Sequence, residues 1–152
     1  DGVIYGDRVD ASDINNMYKN TRTKNFGEEV KRRIILGTFI LSSGYYDSYY
    51  SQALKVRRLI KNQFVDAFEN VDLILTPTSP SPAFKIGEKI KDPVNMYLSD
   101  IFTVPMSLAG VPAMNVPFGE NIEGLPIGVQ LVSNYFEENK IFSLAKFINN
   151  NI

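Results

Sequence analysis

The sequence predicts an α/β fold in which many helices cover a core of about three strands. All eight prolines fall between Pro77 and Pro126, so both flanks of this block are free to be helical. Within the block, residues 103–131 form short apolar segments that Pro and Gly interrupt and that carry almost no charge. Segments this short predict buried strands and turns, whereas apolar residues at helical spacing in the flanks predict covering helices.

The composition is that of one globular domain without redox or metal chemistry of its own. The 152 residues are 44% hydrophobic and carry a formal net charge of -1, which gives no general attraction to nucleic acid or to anionic membranes. The absence of Cys excludes thiol chemistry, and the absence of His removes the commonest general base and metal ligand. No apolar run approaches the roughly 20 residues of a membrane span, so we expect a cytoplasmic protein with no membrane contact. Because the chain opens on Asp1 rather than Met, we expect it to be a piece of a longer protein.

Three helices are predicted in the N-terminal flank. Ser12 or Asp13 can cap the first, over residues 14–21, because such side chains accept hydrogen bonds from the first helical turn. The second, over 28–43, starts with two acidic residues, and its second half is apolar on nearly every face, which predicts burial. The third, over 47–70, is predicted from apolar residues at helical spacing. These residues are Ala53, Val56, Ile60, Phe64, Ala67 and Phe68.

The charges and tyrosines of the third helix have two interpretations. The basic residues between Lys55 and Lys61 fall mostly on other faces than the apolar ones, which favours a solvated surface over a nucleic-acid contact. The four tyrosines at 45–50 predict packing at the core and its rim, because no basic groove accompanies them as in a base-stacking platform.

The central block and the C-terminal flank predict the core itself and one closing helix. Apolar runs bounded by Pro and Gly predict the strands, and Pro93 suits the first turn of another helix. The predicted elements are strands over 71–75, 114–118 and 127–132, a helix over 94–103 that carries Asp100 among apolar residues, and a closing helix that begins at Glu137 or Glu138. The closing helix is predicted to point Phe142, Leu144, Ala145, Phe147 and Ile148 inward.

Two charged residues stand out as candidate binding groups. The sequence contains no glycine-rich phosphate loop and, without His, no Ser-His-Asp arrangement. Arg33 lies beside the apolar half of the second helix, and Asp100 lies within an apolar segment. An arginine can bind a carboxylate with two hydrogen bonds and an aspartate can hold an ammonium, so the pair suits the two ends of an amino acid. The residues alone do not separate this site from an ordinary, partly buried ion pair, which the general pairing of buried charges favours.

Four segments resemble the amidase signature family, most closely its tRNA-dependent amidotransferase members. The resemblance covers nearly the whole chain, and the KRRIILGTF and SGYYD elements bring it closest to the amidotransferases. The segments are FGEEVKRRIILGTFILSSGYYDSYY (26–50), VDLILTPTSPSPAF (71–84), DPVNMYLSDIFTVPMSLAGVPAMNVPFG (92–119) and GLPIGVQLV (124–132).

The resemblance implies a fold and an incomplete site. Residues 1–152 are expected to be the C-terminal part of a single amidase domain, a mixed β-sheet covered by helices. The family's catalytic Ser–cis-Ser–Lys residues belong to an upstream half that this sequence lacks, so no catalytic residue is expected in this chain. The resemblance also implies that Arg33 binds the α-carboxylate of glutamine and that Asp100 binds its α-ammonium.

The resemblance further implies a glutaminase subunit that supplies ammonia for converting Glu-tRNA(Gln) to Gln-tRNA(Gln). The expected partners are glutamine, the amidotransferase subunits B and C in a heterotrimer, and tRNA held by a partner subunit. No cofactor is expected in this chain, and ATP and Mg²⁺ are expected on the partner. Two alternatives stay open: a stand-alone amidase of the same family, and a non-catalytic interaction fragment.

Overall fold

A computed structural model describes residues 2–88 and 93–151, which form helices around one small sheet. The chain divides into two compact parts, an N-terminal part at Asp1–Ala53 and a C-terminal part at Leu54–Ile152. The described elements are α1 (Ile14–Asn25), α2 (Glu28–Ile40), a π-helical segment (Tyr46–Tyr50), α3 (Ser51–Phe68), β1 (Leu73–Pro77), α4 (Pro93–Leu98), α5 (Val104–Ala109), β2 (Ala113–Glu120), β3 (Pro126–Ser133) and α6 (Glu138–Asn151).

The first helix begins where its cap predicts. A carboxylate oxygen of Asp13 accepts a hydrogen bond from the backbone N–H of Asn16 at 3.0 Å, which satisfies one of the free donors of the first turn. The same hydrogen bond stabilises the charged form of the carboxylate and therefore lowers the pKa of Asp13. The helix runs on to Asn25, four residues past its predicted end, and buries Met17 and Thr21.

The second helix is exposed, and the prediction that its second half is buried is wrong. None of its residues is buried, and Ile35, Leu36 and Phe39 are 68%, 52% and 47% exposed. An apolar helix is buried only where neighbouring elements surround it, and the described residues cover only part of this helix. The apolar pattern identified the helix correctly but could not supply its cover.

The sheet is antiparallel in the order β1-β3-β2, which confirms the three predicted strands. The central strand β3 supplies Leu131 and Val132, neither of which has measurable solvent exposure. Successive side chains of a strand point to opposite faces, so these two residues serve two separate clusters. One cluster joins Leu131 to Val116, Ile141, Ala145 and Ile148, and the other joins Val132 to Met106, Ala109 and Val111, with Ile60, Phe64 and Phe68 of α3 packed against it.

The predicted helix over 94–103 is wrong, because the chain turns after Leu98 and starts a second helix at Val104. The sequence carried the signals for this second helix, α5. Pro105 lies in its first turn, where a missing N–H costs nothing. Gly110 ends it with φ of 78°, a left-handed conformation that glycine adopts easily.

The closing helix begins at Glu138, as predicted, but its inward face differs. Ile141, Ala145 and Ile148 are its buried residues, whereas Phe142 and Phe147 are 58% and 64% exposed. The predicted inward positions of the two phenylalanines are therefore wrong. Spacings of four and three residues along α6 keep the smaller side chains against the sheet.

Two basic residues of α3 make contacts within the C-terminal part. Arg57 donates from Nε to the carbonyl oxygen of Leu108 at 2.8 Å, near the C-terminus of α5, where a cation is favoured. The ammonium of Lys61 lies 5.2 Å from the ring centroid of Tyr135, within the range of a cation–π interaction. These contacts give the two charges a packing role besides a solvated one.

Candidate functional site: two predicted binding residues and a buried amide

Arg33 lies in the first half of α2 and contacts an acidic residue one turn earlier. Its Nε donates to Oε1 of Glu29 at 3.0 Å, and its side chain is 63% exposed. Arg32 binds the other oxygen, Oε2, of the same carboxylate at 3.0 Å, with a side chain that is 59% exposed. Exposed pairs at these spacings contribute only a few tenths of a kcal/mol. Arg33 is therefore a largely solvated cation and not the partly buried ion pair that the sequence left open.

Asp100 lies in the turn between α4 and α5, not inside a helix. Its N–H donates to the carbonyl oxygen of Tyr97 at 3.1 Å, and its own carbonyl accepts the N–H groups of Thr103 and Val104 at 3.0 Å each. The hydroxyl of Thr103 donates to the same carbonyl at 3.2 Å. The residue is exposed, so its carboxylate can meet a ligand from solvent while its backbone is held in a closed turn.

The two residues lie in different compact parts of the chain, Arg33 in the N-terminal part and Asp100 in the C-terminal part. Each has the exposure and charge that binding one end of an amino acid requires. That they bind the two ends of one ligand stays a prediction.

Gln130 is a buried polar residue that the sequence pattern did not single out. It is 5% exposed in the middle of β3, and its Nε2 donates to the carbonyl oxygen of Phe102 at 2.8 Å and to Oγ1 of Thr76 at 3.2 Å. A buried amide must find partners, because an unpaired polar group in the core is costly. The signal in the sequence was one amide inside the apolar run GVQLV.

An open groove of about 650 Å³ lies beside one end of the sheet. No acidic or basic side chain is among its described lining residues, so it offers no partner for the charged ends of an amino acid. It is lined by Leu75, Pro77, Thr78, Ser79, Pro80, Ser81, Pro82, Ala83, Asn115, Pro117, Pro126, Ile127, Gly128 and Val129.

Over residues 2–88 and 93–151, no group of three or more acidic, His or Cys side chains is placed to hold a metal ion. None of the helices described there is long and apolar enough to cross a membrane.

An ion pair joins the loop before β1 to the start of α6. The Nζ of Lys140 lies 2.8 Å from Oδ1 of Asp72 and 2.9 Å from Oε2 of Glu137. The hydrogen bond and the positive charge of Lys140 lower the pKa of Asp72. The hydrogen bonds to Asp72 and Glu137 raise the pKa of Lys140. The stabilisation through Asp72 is thus present above its ordinary pKa of 3.8 and is lost as the pH falls through its folded value.

We expect Lys140→Met to raise the pKa of Asp72 towards its ordinary value, because the variant removes both the hydrogen bond and the charge. The measurement is a carboxyl NMR titration of the chain, with Lys146→Met, an exposed lysine on the same helix, as the control. An unchanged Asp72 titration in Lys140→Met, or an equal shift in Lys146→Met, contradicts the pairing.

Comparisons with known proteins agree with these elements. The family model described as amidase matches residues 3–142. The chain is 54% identical over 151 residues to the A subunit of glutamyl-tRNA(Gln) amidotransferase from Prosthecochloris aestuarii, covering 99% of this chain and 32% of that protein. It is 59% identical over 145 residues to the protein of the same name from Thermodesulfovibrio yellowstonii, covering 95% of this chain and 30% of that protein. The chain thus spans about a third of the length of these relatives and corresponds to their C-terminal part.

Solved structures show the same fold. The A subunit of glutamyl-tRNA(Gln) amidotransferase from Thermotoga maritima matches with a TM-score of 0.62 and 52% identity, over 84% of this chain and 28% of that one. A crystal structure of an amidase matches with a TM-score of 0.67 over 90% of this chain and 32% of that one, at 23% identity, which supports the fold alone. Since the family model spans nearly the whole sequence and solved amidases share its helices and sheet, the chain belongs to the amidase family.

Proposed function

We propose that this chain is the glutamine-binding C-terminal part of a glutaminase subunit in a tRNA-dependent amidotransferase. The full subunit hydrolyses glutamine and supplies ammonia for converting Glu-tRNA(Gln) to Gln-tRNA(Gln). The observation that carries the proposal is the 54–59% identity, over at least 95% of the chain, to curated proteins named as the A subunit of that enzyme. A stand-alone amidase for neutral substrates has no use for both Arg33 and Asp100.

The proposed roles of the two residues follow from their charges. The planar guanidinium of Arg33 can form two parallel hydrogen bonds to the α-carboxylate of glutamine, which gives both strength and orientation. The carboxylate of Asp100 can accept the α-ammonium. A site that uses both ends rejects simple amides, because those leave its charged groups without partners.

The proposed chemistry divides between this chain and the rest of the protein. An upstream serine, activated by a second serine and a lysine, attacks the side-chain amide carbon, and the nitrogen leaves as ammonia. Water then hydrolyses the glutamyl ester to glutamate and restores the serine. The contribution of this chain is to hold glutamine in register, which raises the effective concentration of the amide at the nucleophile.

The proposed assembly places the remaining ligands on other chains. Subunits B and C complete a cytoplasmic heterotrimer, tRNA is held by a partner subunit, and ATP with Mg²⁺ activates the glutamate there. The near-neutral charge of this chain, formally -1, supports the division because the chain has no general attraction for tRNA phosphates.

The test compares the full-length subunit, in complex with its partners, with the chain at residues 1–152. We expect the complex to release ammonia from glutamine and, with ATP and Glu-tRNA(Gln), to form Gln-tRNA(Gln). The isolated chain should show no turnover, because it lacks the nucleophile. Preferential hydrolysis of a neutral amide by the full-length subunit indicates a stand-alone amidase, and no hydrolysis by the complex indicates a non-catalytic fragment. Either result overturns the proposal.

A further inference from the structure

Gln130 links the central strand to the turn that carries Asp100. The carbonyl oxygen of Phe102 can only accept a hydrogen bond, so the group that faces it at 2.8 Å must be the NH₂ of the Gln130 amide. The second donor of that NH₂ reaches Thr76, the residue directly opposite Gln130 on β1. The amide is therefore fixed between a neighbouring strand and a turn 28 residues away in the sequence.

The turn moves as one unit, because its own hydrogen bonds close it around Asp100. The Asp100 carbonyl accepts two backbone N–H groups at 3.0 Å and the Thr103 hydroxyl at 3.2 Å. Phe102 lies inside this closed turn, two residues after Asp100. A tether at the Phe102 carbonyl therefore limits where the Asp100 side chain can be.

Little apolar packing holds the same turn. Leu98 at the end of α4 is 48% exposed and Ile101 is 51% exposed, so neither anchors the segment firmly. On the other side, α5 is anchored through Met106 and Ala109, which are buried in the core. The hydrogen bond from Gln130 is thus the contact that ties the Asp100 side of this connection to the sheet.

We infer that Gln130 is a positioning residue for substrate binding, which sets the Asp100 carboxylate for the α-ammonium of glutamine by holding the Phe102 carbonyl. The inference rests on the proposed binding role of Asp100. Gln130 itself is buried and touches no substrate, so its effect has to appear in the recognition of the ammonium and not in the chemical step.

The test uses Gln130→Met in the full-length subunit, because methionine keeps the length of the side chain and removes both donors. Hydrolysis is measured for glutamine and for glutaramate, the analogue that lacks only the α-amino group. We expect the KM for glutamine to rise about 5- to 10-fold, the scale of one lost buried hydrogen bond. The expected change in kcat is less than about twofold, and glutaramate kinetics should stay unchanged.

Thr76→Val is the matched control, since it removes the other partner of the same amide and leaves the turn alone. We expect it to leave the KM for glutamine unchanged. Equal losses on glutamine and glutaramate in Gln130→Met, or an equal loss in Thr76→Val, mean that Gln130 is only structural and overturn the inference.

If thermal unfolding shows that Gln130→Met is not folded, Thr103→Val decides. That variant removes the hydroxyl contact to the Asp100 carbonyl, and it should weaken glutamine binding in the same direction without affecting glutaramate. No change in glutamine binding overturns the inference. Asp100→Ala separates the two levels: if it leaves the KM unchanged, the proposed binding role of Asp100 itself fails.

Discussion

Asp100→Ala in the full-length subunit is expected to raise the KM for glutamine about 30-fold, with little change in kcat. Truncating one partner of a hydrogen-bonded charge pair costs about 2–5 kcal/mol, and the exposure of Asp100 favours the lower end. About 2 kcal/mol corresponds to that 30-fold change. An unchanged kcat is expected because the ammonium is bound equally in the ground and transition states.

Arg33→Ala is expected to have an effect of the same size, and the chain offers a matched control. Arg32 contacts the same carboxylate of Glu29 at the same 3.0 Å distance and has a similar exposure. Each substitution therefore removes a comparable surface ion pair, which contributes only about 0.3–0.5 kcal/mol to helix stability. A loss seen in Arg33→Ala and not in Arg32→Ala can be assigned to substrate binding.

Steady-state glutaminase kinetics with two substrate analogues assign each residue to one end of glutamine. Asp100→Ala should lose discrimination against glutaramate, which lacks the ammonium. Arg33→Ala should lose discrimination against 4-aminobutanamide, which lacks the carboxylate. If both variants keep the KM for glutamine, the proposed assignment is wrong.

Leu131→Ala is expected to destabilise the chain by about 3 kcal/mol, near the middle of the range for buried Leu→Ala substitutions. Leu131 has 0% exposure and packs with Val116 and Ile141, between the sheet and α6. Removing its side chain leaves a cavity that strands paired on both sides of β3 cannot easily collapse.

Leu59→Ala is the control, because it makes the same chemical change at a leucine of α3 that is 63% exposed. It should change the free energy of unfolding by less than about 0.5 kcal/mol. The measurement is urea-induced unfolding of the chain, with the slope m checked for equality between variants. A cost below about 1 kcal/mol for Leu131→Ala contradicts the central position assigned to this residue.

Local signals account for the elements that the sequence predicted well. Asp13 starts α1 through a hydrogen bond to Asn16, three residues away, and an apolar run between Pro and Gly predicts β3. Such features depend on neighbouring residues, so they can be read without knowing the rest of the fold. The break after Leu98 was also local, but Pro105 and Gly110 were read as interruptions of a buried turn and not as the two ends of α5.

Burial was less predictable, because it depends on what lies across from a residue. The apolar second half of α2 predicts a buried helix, yet Ile35 is 68% exposed. The same difficulty applies to α6, where helical spacing does not say which of two apolar faces meets the sheet. Phe147 lies on the exposed face and Ile148 on the buried one, one residue apart.

The candidate site shows the same division. Arg33 and Asp100 stand out from the residue types and from the family resemblance, which need no coordinates. The role of Gln130 depends on the register that sets it opposite Thr76 and on a turn that approaches it from 28 residues away. A hydrogen bond of 2.8 Å between such distant residues exists only after strands and turn have packed. Residue chemistry can therefore be read along the chain, whereas the contacts that orient it arise from the packed fold.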